Sequence, residues 1–140
     1  MRFAMVESAT REVSSAAAVK VALVEDSFRH EALFYSGDDG FLQGTLPFVS
    51  EALAANEPVL VAVDEQRANL LRQALGEDAE RLRFLDMEEL RNPARMIPAW
   101  REFISAHAAE GRSVRCIGES VWPGRSGAEL EECERHEALL

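Results

Sequence analysis

The chain has 140 residues, 47% of them apolar and 29% charged, with a formal net charge of −10. That length supports one domain with a single core, and so acidic a balance repels phosphate backbones, which argues against direct nucleic-acid binding. No apolar run approaches the ~20 residues of a membrane helix, and two cysteines, Cys116 and Cys133, do not make a disulfide scaffold.

Residues 1–27 read as a leader that is partly flexible. They contain Arg2 and the tract Ser14-Ser15-Ala16-Ala17-Ala18, but Glu7 and Glu12 interrupt them and no continuous apolar core follows. That makes a poor signal peptide, so the cytoplasm is the expected compartment. Residues 19–24 fit a short extra strand or part of a flexible arm. The first half of the leader is expected to be poorly ordered.

Residues 28–35 predict the first strand of the domain proper, which spans 28–140. Ser36-Gly37-Asp38-Asp39-Gly40 reads as a turn. Apolar residues then recur at helical spacing over 41–56 (Phe41, Phe48, Val49, Ala52, Leu53). Pro47 either kinks that helix or marks its first turn. Val59-Leu60-Val61-Ala62-Val63 leaves no polar face for water, which is the habit of a strand in a parallel sheet. Asp64 follows as a cap for a helix over 65–75, and Gly76 stops it.

Residues 82–86 give a third strand. Asn92-Pro93 opens a further helix, Asn92 as cap and Pro93 in the first turn, with Met96, Ile97, Trp100, Phe103 and Ile104 as its apolar face. Gly111 ends it, and residues 113–118 form a fourth strand. A loop over 119–124 contains Trp122-Pro123-Gly124. Ser126 and Glu129 have the spacing of a capping box, and the last helix runs to Leu140 without a stop signal. That open end fits a domain cut from a longer protein. Strand and helix alternate throughout, so the expected fold is α/β, a three-layer parallel sheet flanked by helices.

Ligands in such sheets bind at the carboxyl ends of the strands. Tyr35 ends the first strand there, and Glu119 and Trp122 sit just beyond the fourth, with Arg125 closing the loop. A carboxylate and an indole in that position could line a small-molecule pocket; equally, Trp122 could pack on the sheet and Glu119 cap backbone. His30, inside the first strand, is either satisfied by a carboxylate or a ligand contact whose charge changes near neutrality. His30, Cys116, Cys133 and His136 together would supply a zinc set, but no paired CxxC accompanies them, and Cys116 suits a small core residue. A phosphate loop needs glycines and a lysine followed by Ser or Thr. The segment from Gly37 to Thr45 has glycines, but no lysine follows Lys20, and Asp38 and Asp39 would repel a triphosphate. No cofactor is indicated.

Three segments carry a resemblance. Arg29-His30-Glu31-Ala32-Leu33-Phe34-Tyr35 with Phe41-Leu42-Gln43-Gly44-Thr45-Leu46-Pro47-Phe48-Val49, then Asn92-Pro93-Ala94-Arg95-Met96-Ile97-Pro98-Ala99-Trp100, then Gly118-Glu119 and Trp122-Pro123-Gly124-Arg125-Ser126 with Glu129, Cys133 and His136 to Leu140, resemble the MEDS domain, a methanogen/methylotroph, DcmR-type sensory domain. The resemblance implies a RecA/KaiC-like fold without a functional phosphate loop. It implies a non-catalytic sensor of a small organic ligand. It also implies control of an attached anti-sigma-factor or histidine-kinase-like ATPase, and through it of a sigma factor or its antagonist in transcription. The competing expectations are an interaction or dimerisation module without ligand, working as a homodimer, and a divergent nucleotide-binding domain.

Overall fold

Alternation along one strand decides the architecture. Val59, Val61 and Val63 point to one face of the sheet and Leu60 and Ala62 to the other, and all five are buried. A strand with no polar side must be covered twice, so helices pack on both faces. The computed structural model describes residues 2–8, 20–25, 28–90, 95–108, 110–121 and 125–137.

In chain order the elements are β1 Arg2–Ser8, β2 Lys20–Glu25, β3 Phe28–Tyr35, α1 Gly37–Ala54, β4 Val59–Val63, α2 Glu65–Leu75, β5 Leu82–Asp86, α3 Met87–Leu90, α4 Met96–Ala108, β6 Arg115–Val121 and α5 Gly127–Glu137, with a 3-10 turn over Gly76–Arg81. Six strands form one sheet in the order β2-β3-β1-β6-β4-β5. Every neighbouring pair is parallel except β2 with β3. Helices α1 and α2 cover one face through Phe41, Phe48, Val49, Ala52, Ala68 and Leu71. Helices α3 and α4 cover the other through Met87, Met96, Trp100 and Phe103. Among the described residues no helix is long and apolar enough to cross a membrane.

Within the expected leader, Arg2–Ser8 is a parallel strand between β3 and β6, pairing Met5 with Ala32 on one side and Gly118 on the other. Lys20–Glu25 is the extra strand, antiparallel on β3. Residues 9–19 lie outside the described residues.

Helix α1 starts at Gly37, so the expected turn is its first helical turn. Gly37 has φ of 68°, and Asp38 and Asp39 follow at the positive end of the helix dipole, where carboxylates are favourable. Pro47 lies well inside the helix. Gly44 is needed where α1 crosses β3, because a Cβ there would stand 2.3 Å from Leu33 Cδ2. The β4–α2 unit has the expected limits, and Asp64 accepts from the Arg67 backbone N–H at 2.8 Å. The short helix α3 was not foreseen. Asn92 and Pro93, the expected helix opening, lie outside the described residues, and α4 is described from Met96.

Trp100 is core, 4% exposed, and its ring lies so near Gly118 that a Cβ there would meet Cζ2 at 3.0 Å. Replacing Trp100 by Ala should cost ~3–5 kcal/mol in denaturant melts, the range for aromatic truncation in a packed core; a loss under about 1 kcal/mol would remove it from the core.

Candidate functional site

Strand β6 runs three residues further than the sequence suggested, to Val121. Glu119 is therefore within the strand and not in a loop. It is fully buried, and Ser120 beside it is 1% exposed. Polar residues survive there because a partner meets each of them. Tyr35, the last residue of β3, donates its hydroxyl proton to Glu119 Oε1 at 2.6 Å. Arg67, in the first turn of α2, donates from Nε to Tyr35 Oη at 2.5 Å and stands 2.9 Å from Glu119 Oε2. Its Nη1 reaches Asp64 Oδ2 at 2.7 Å. The Cys133 thiol of α5 donates to the Ser120 carbonyl at 3.0 Å.

The carboxyl ends of β3, β4 and β6 thus meet at one buried cluster. Tyr35 is 4% exposed, and the side chains of Asp64 and Arg67 are 10% and 13% exposed. Gly40 lies directly against Tyr35, where a Cβ would stand at ordinary contact distance, 3.4 Å from Tyr35 Cβ. The phenol also packs on Phe41, ring centroids 5.4 Å apart.

Burial pushes the Glu119 carboxyl from its ordinary 4.5 up to about 7, and Asp64 adds to the rise; the Tyr35 hydrogen bond and the Arg67 charge pull it back only in part. Burial likewise raises the Tyr35 phenol, helped by Glu119, so it stays protonated. Burial works against the Arg67 cation, but its bond to Tyr35 and the charges of Glu119, Tyr35 and Asp64 outweigh that and raise its pKa. The cluster holds one cation and two carboxylic groups. It is neutral when Glu119 carries its proton and singly negative when it does not. No side chain in it is poised as a nucleophile; what it offers is a hydrogen-bonding group that titrates near neutrality.

The sign of the pH effect follows. Between pH 4.5 and about 7 the folded chain holds a proton on Glu119 that the unfolded chain releases. This contribution to stability is therefore full below 4.5 and falls as pH rises through the window. A carbon-13 titration of the Glu119 carboxyl should show a midpoint near 7. A midpoint in the ordinary carboxylate range would show that Arg67 and Tyr35 outweigh desolvation.

Of the residues expected at a site, Tyr35 and Glu119 come together. His30 does not join them: it is five residues back along β3, on the opposite side of the strand by alternation, and burial lowers its pKa. Arg125 lies two residues ahead of α5, its side chain 2% exposed and 3.9 Å from Glu129. Trp122 lies outside the described residues. The capping box is present: the Ser126 N–H donates to Glu129 Oε2 at 2.8 Å and the Glu129 N–H to Ser126 Oγ at 3.4 Å. Cys116 packs with Leu60 and Ala62, where burial pushes its thiol up to about 12. Among the described residues no three His, Cys, Asp or Glu side chains form a metal-binding group; the His136 side chain is outside them.

Arg67 is the member that sequence reasoning missed. Its i,i+3 spacing from Asp64 was visible, but such pairs are common on helix surfaces. Only the fold turns the guanidinium inward to Tyr35 and Glu119.

The comparisons with known proteins give one match. A family model described as MEDS, methanogen/methylotroph, DcmR sensory domain, matches residues 29–140. No curated protein and no solved structure matches the chain.

Proposed function

We propose, from the premise that the chain belongs to the MEDS sensory-domain family, that it is a non-catalytic sensor which takes a small organic ligand at the carboxyl ends of its parallel strands. The observation that carries this is the buried Tyr35–Glu119–Arg67 cluster. Buried polar groups are costly unless satisfied. Here a phenol, a carboxyl and a guanidinium are kept where α/β sheets place ligands, with Asp64 holding the guanidinium. A ligand with a hydrogen-bonding head could replace one of these contacts and shift Arg67, and α2 with it. Trp122 and Arg125 are proposed as further ligand contacts; His30, on the opposite side of β3 from Tyr35, is left out of the site. The proposed ancestry is RecA/KaiC-like with the phosphate loop lost: the turn into α1 keeps Gly37 and Gly40 but has two aspartates and no lysine.

The regulated module would be an anti-sigma-factor or histidine-kinase-like ATPase, acting in the cytoplasm on a sigma factor or its antagonist. Helix α5 is the proposed connection. It lies on β6 through Cys133 and the Ser120 carbonyl, next to Glu119 in sequence. A ligand moves such a connection only by binding one arrangement better than the other.

A thermal-shift screen of small carbonyl and halogenated compounds tests the sensor. A ligand at a hundred times its Kd stabilises the fold by ~2.7 kcal/mol. Wild type should respond to at least one compound, and Tyr35→Phe should lose that response. A response unchanged in Tyr35→Phe would place the ligand elsewhere. Mg-ATP should show no affinity tighter than about millimolar, roughly −4 kcal/mol; micromolar binding by isothermal titration would restore the nucleotide reading.

A second reading rests on the surface. Phe34 is 43% exposed and Leu130 37% exposed. Two large exposed apolar side chains suit an interaction or dimerisation module, which would show no thermal response to any small molecule.

A further inference from the structure

A second hollow lies at the opposite ends of the strands. At the amino ends of β4 and β5 a cavity of about 510 Å³ opens. Ligand pockets run from roughly 300 to 1,000 Å³. Its apolar lining comes from Leu53 of α1, Pro58 and Val59, Leu82 and Phe103 of α4. Its rim carries Arg81, Arg83 and Arg112. Three guanidinium groups against two carboxylates, Glu57 and Glu80, give this lining a positive excess in a chain whose net charge is −10.

Two of these cations are held in place. Arg81 donates from Nη2 to the Leu53 carbonyl at 3.0 Å, and Arg112 from Nη2 to the Asn56 carbonyl at 2.7 Å. These carbonyls end α1 and its following turn, and the last turn of α1 has no basic residue of its own. The guanidinium groups thus sit at the negative end of that helix. Their carboxylate partners are weak: Asp78 is 58% exposed at 3.2 Å from Arg81, and Glu110 59% exposed at 3.5 Å from Arg112. Arg83 is exposed and makes no ion pair among the described residues. Of the acidic lining residues, Glu57 is bound to Arg115 at 2.6 Å, which leaves Glu80.

His107 adds a further group. It lines the cavity, its ring edge-on to Phe103 at 4.8 Å, and its Nδ1 is buried without a hydrogen-bond partner among the described residues. A buried polar atom of that kind calls for an explanation, and an absent ligand is one.

We propose that this hollow is a binding site for a small organic monocarboxylate with an apolar body, the body against Leu82 and Phe103 and the carboxylate on the arginine rim. A nucleotide or polyphosphate fits worse, because Glu80 and Glu57 share the rim and would repel a multiply charged anion. The site is separate from the Tyr35–Glu119 cluster and independent of its reading. Helix α1 runs between them, from Phe41 beside Tyr35 to Leu53 in the cavity wall.

The test titrates the full chain with phenylbutyrate, followed by amide proton–nitrogen correlation spectra. Shifts should saturate at Leu82, Arg83, His107 and Arg112, with a Kd below about 1 mM. Phenylbutanol lacks the charge and acetate lacks the body, and each should bind about tenfold more weakly or worse, the worth of a charge-assisted hydrogen bond or of a buried apolar group. Arg83→Gln should weaken phenylbutyrate by about tenfold and leave the melting temperature unchanged, because Arg83 is exposed. The proposal is overturned by no saturation at about 10 mM, by equal binding of the alcohol, by full affinity in Arg83→Gln, or by shifts centred on Tyr35 and Glu119 instead.

Discussion

A chain lacking residues 1–8 should lose cooperative unfolding. β1 is not at an edge. It pairs along its length with β3 and with β6, so removing it deletes two hydrogen-bond ladders from the middle of the sheet. The facing N–H and C=O groups of β3 and β6 would then lie unpaired under helices, and each unsatisfied buried group costs ~1–3 kcal/mol. A handful of these equals the whole stability of a domain, ~5–15 kcal/mol. The family match begins at residue 29, after β1 and β2. A comparison of chains 1–140, 9–140 and 28–140 by urea melts therefore asks whether the matched segment folds alone. We expect a single sharp transition only in the first. A truncated chain with an unchanged midpoint would show that β3 and β6 can close on each other, and would support residues 28–140 as the folding unit.

Replacing Arg67 by Met should cost ~3–5 kcal/mol at about pH 8, the penalty for leaving a buried charge without its partner. Glu119 is fully buried and loses its cation partner once Arg67 is gone. The comparison is Arg115, which is also buried, at 5% exposure. It donates to Glu57 at 2.6 Å, to Glu51 at 3.1 Å and to the Phe48 carbonyl at 3.1 Å. Yet the Glu51 side chain is 64% exposed and that of Glu57 23% exposed, so both recover water when Arg115 is removed. Arg67→Met should therefore be the costlier change. Its cost should also depend on pH. Without Arg67 the Glu119 pKa rises further, the carboxyl takes a proton, and the penalty shrinks as pH falls toward about 5. Combining Arg67→Met with Glu119→Gln should recover a large part of the loss, as coupled neighbours do in a double-mutant cycle. Additive losses at both pH values would mean that Arg67 and Glu119 do not act on one another.

Much of this was legible because single residues settle it. Val59 to Val63 has no polar position, so its strand had to lie inside the sheet. Asp64 and Gly76 bracket α2, and Ser126 and Glu129 satisfy each other locally, without help from the fold. Tyr35 could be placed because a strand end is a position in the topology. The misreadings share a cause. Glu119 and Ser120 look like loop residues until Tyr35, Arg67 and Cys133 are brought to them. Asp38 and Asp39 look like a turn until the helix dipole they complete is counted. β1 has the apolar run Phe3-Ala4-Met5-Val6 but is flanked by charges and followed by a long low-information tract, and nothing local says that its partners lie far along the chain. Arg81 and Arg112 reach carbonyls of α1 and its turn from distant segments, so the hollow they rim had no signature in sequence order.

The central place of β1 also sets the order of events during synthesis. Met5 is made well before one of its partners, Gly118, far along the chain. At ~5–20 residues per second, β1 waits on the order of ten seconds before β6 exists. Through that interval β3, α1, β4, α2 and β5 can assemble only as incomplete sheet, with parallel strands still unpaired. Contacts so distant along the chain close slowly. The sheet should thus close only once β6 has been made, and the yield should depend on how long its unfinished strands are kept from other chains.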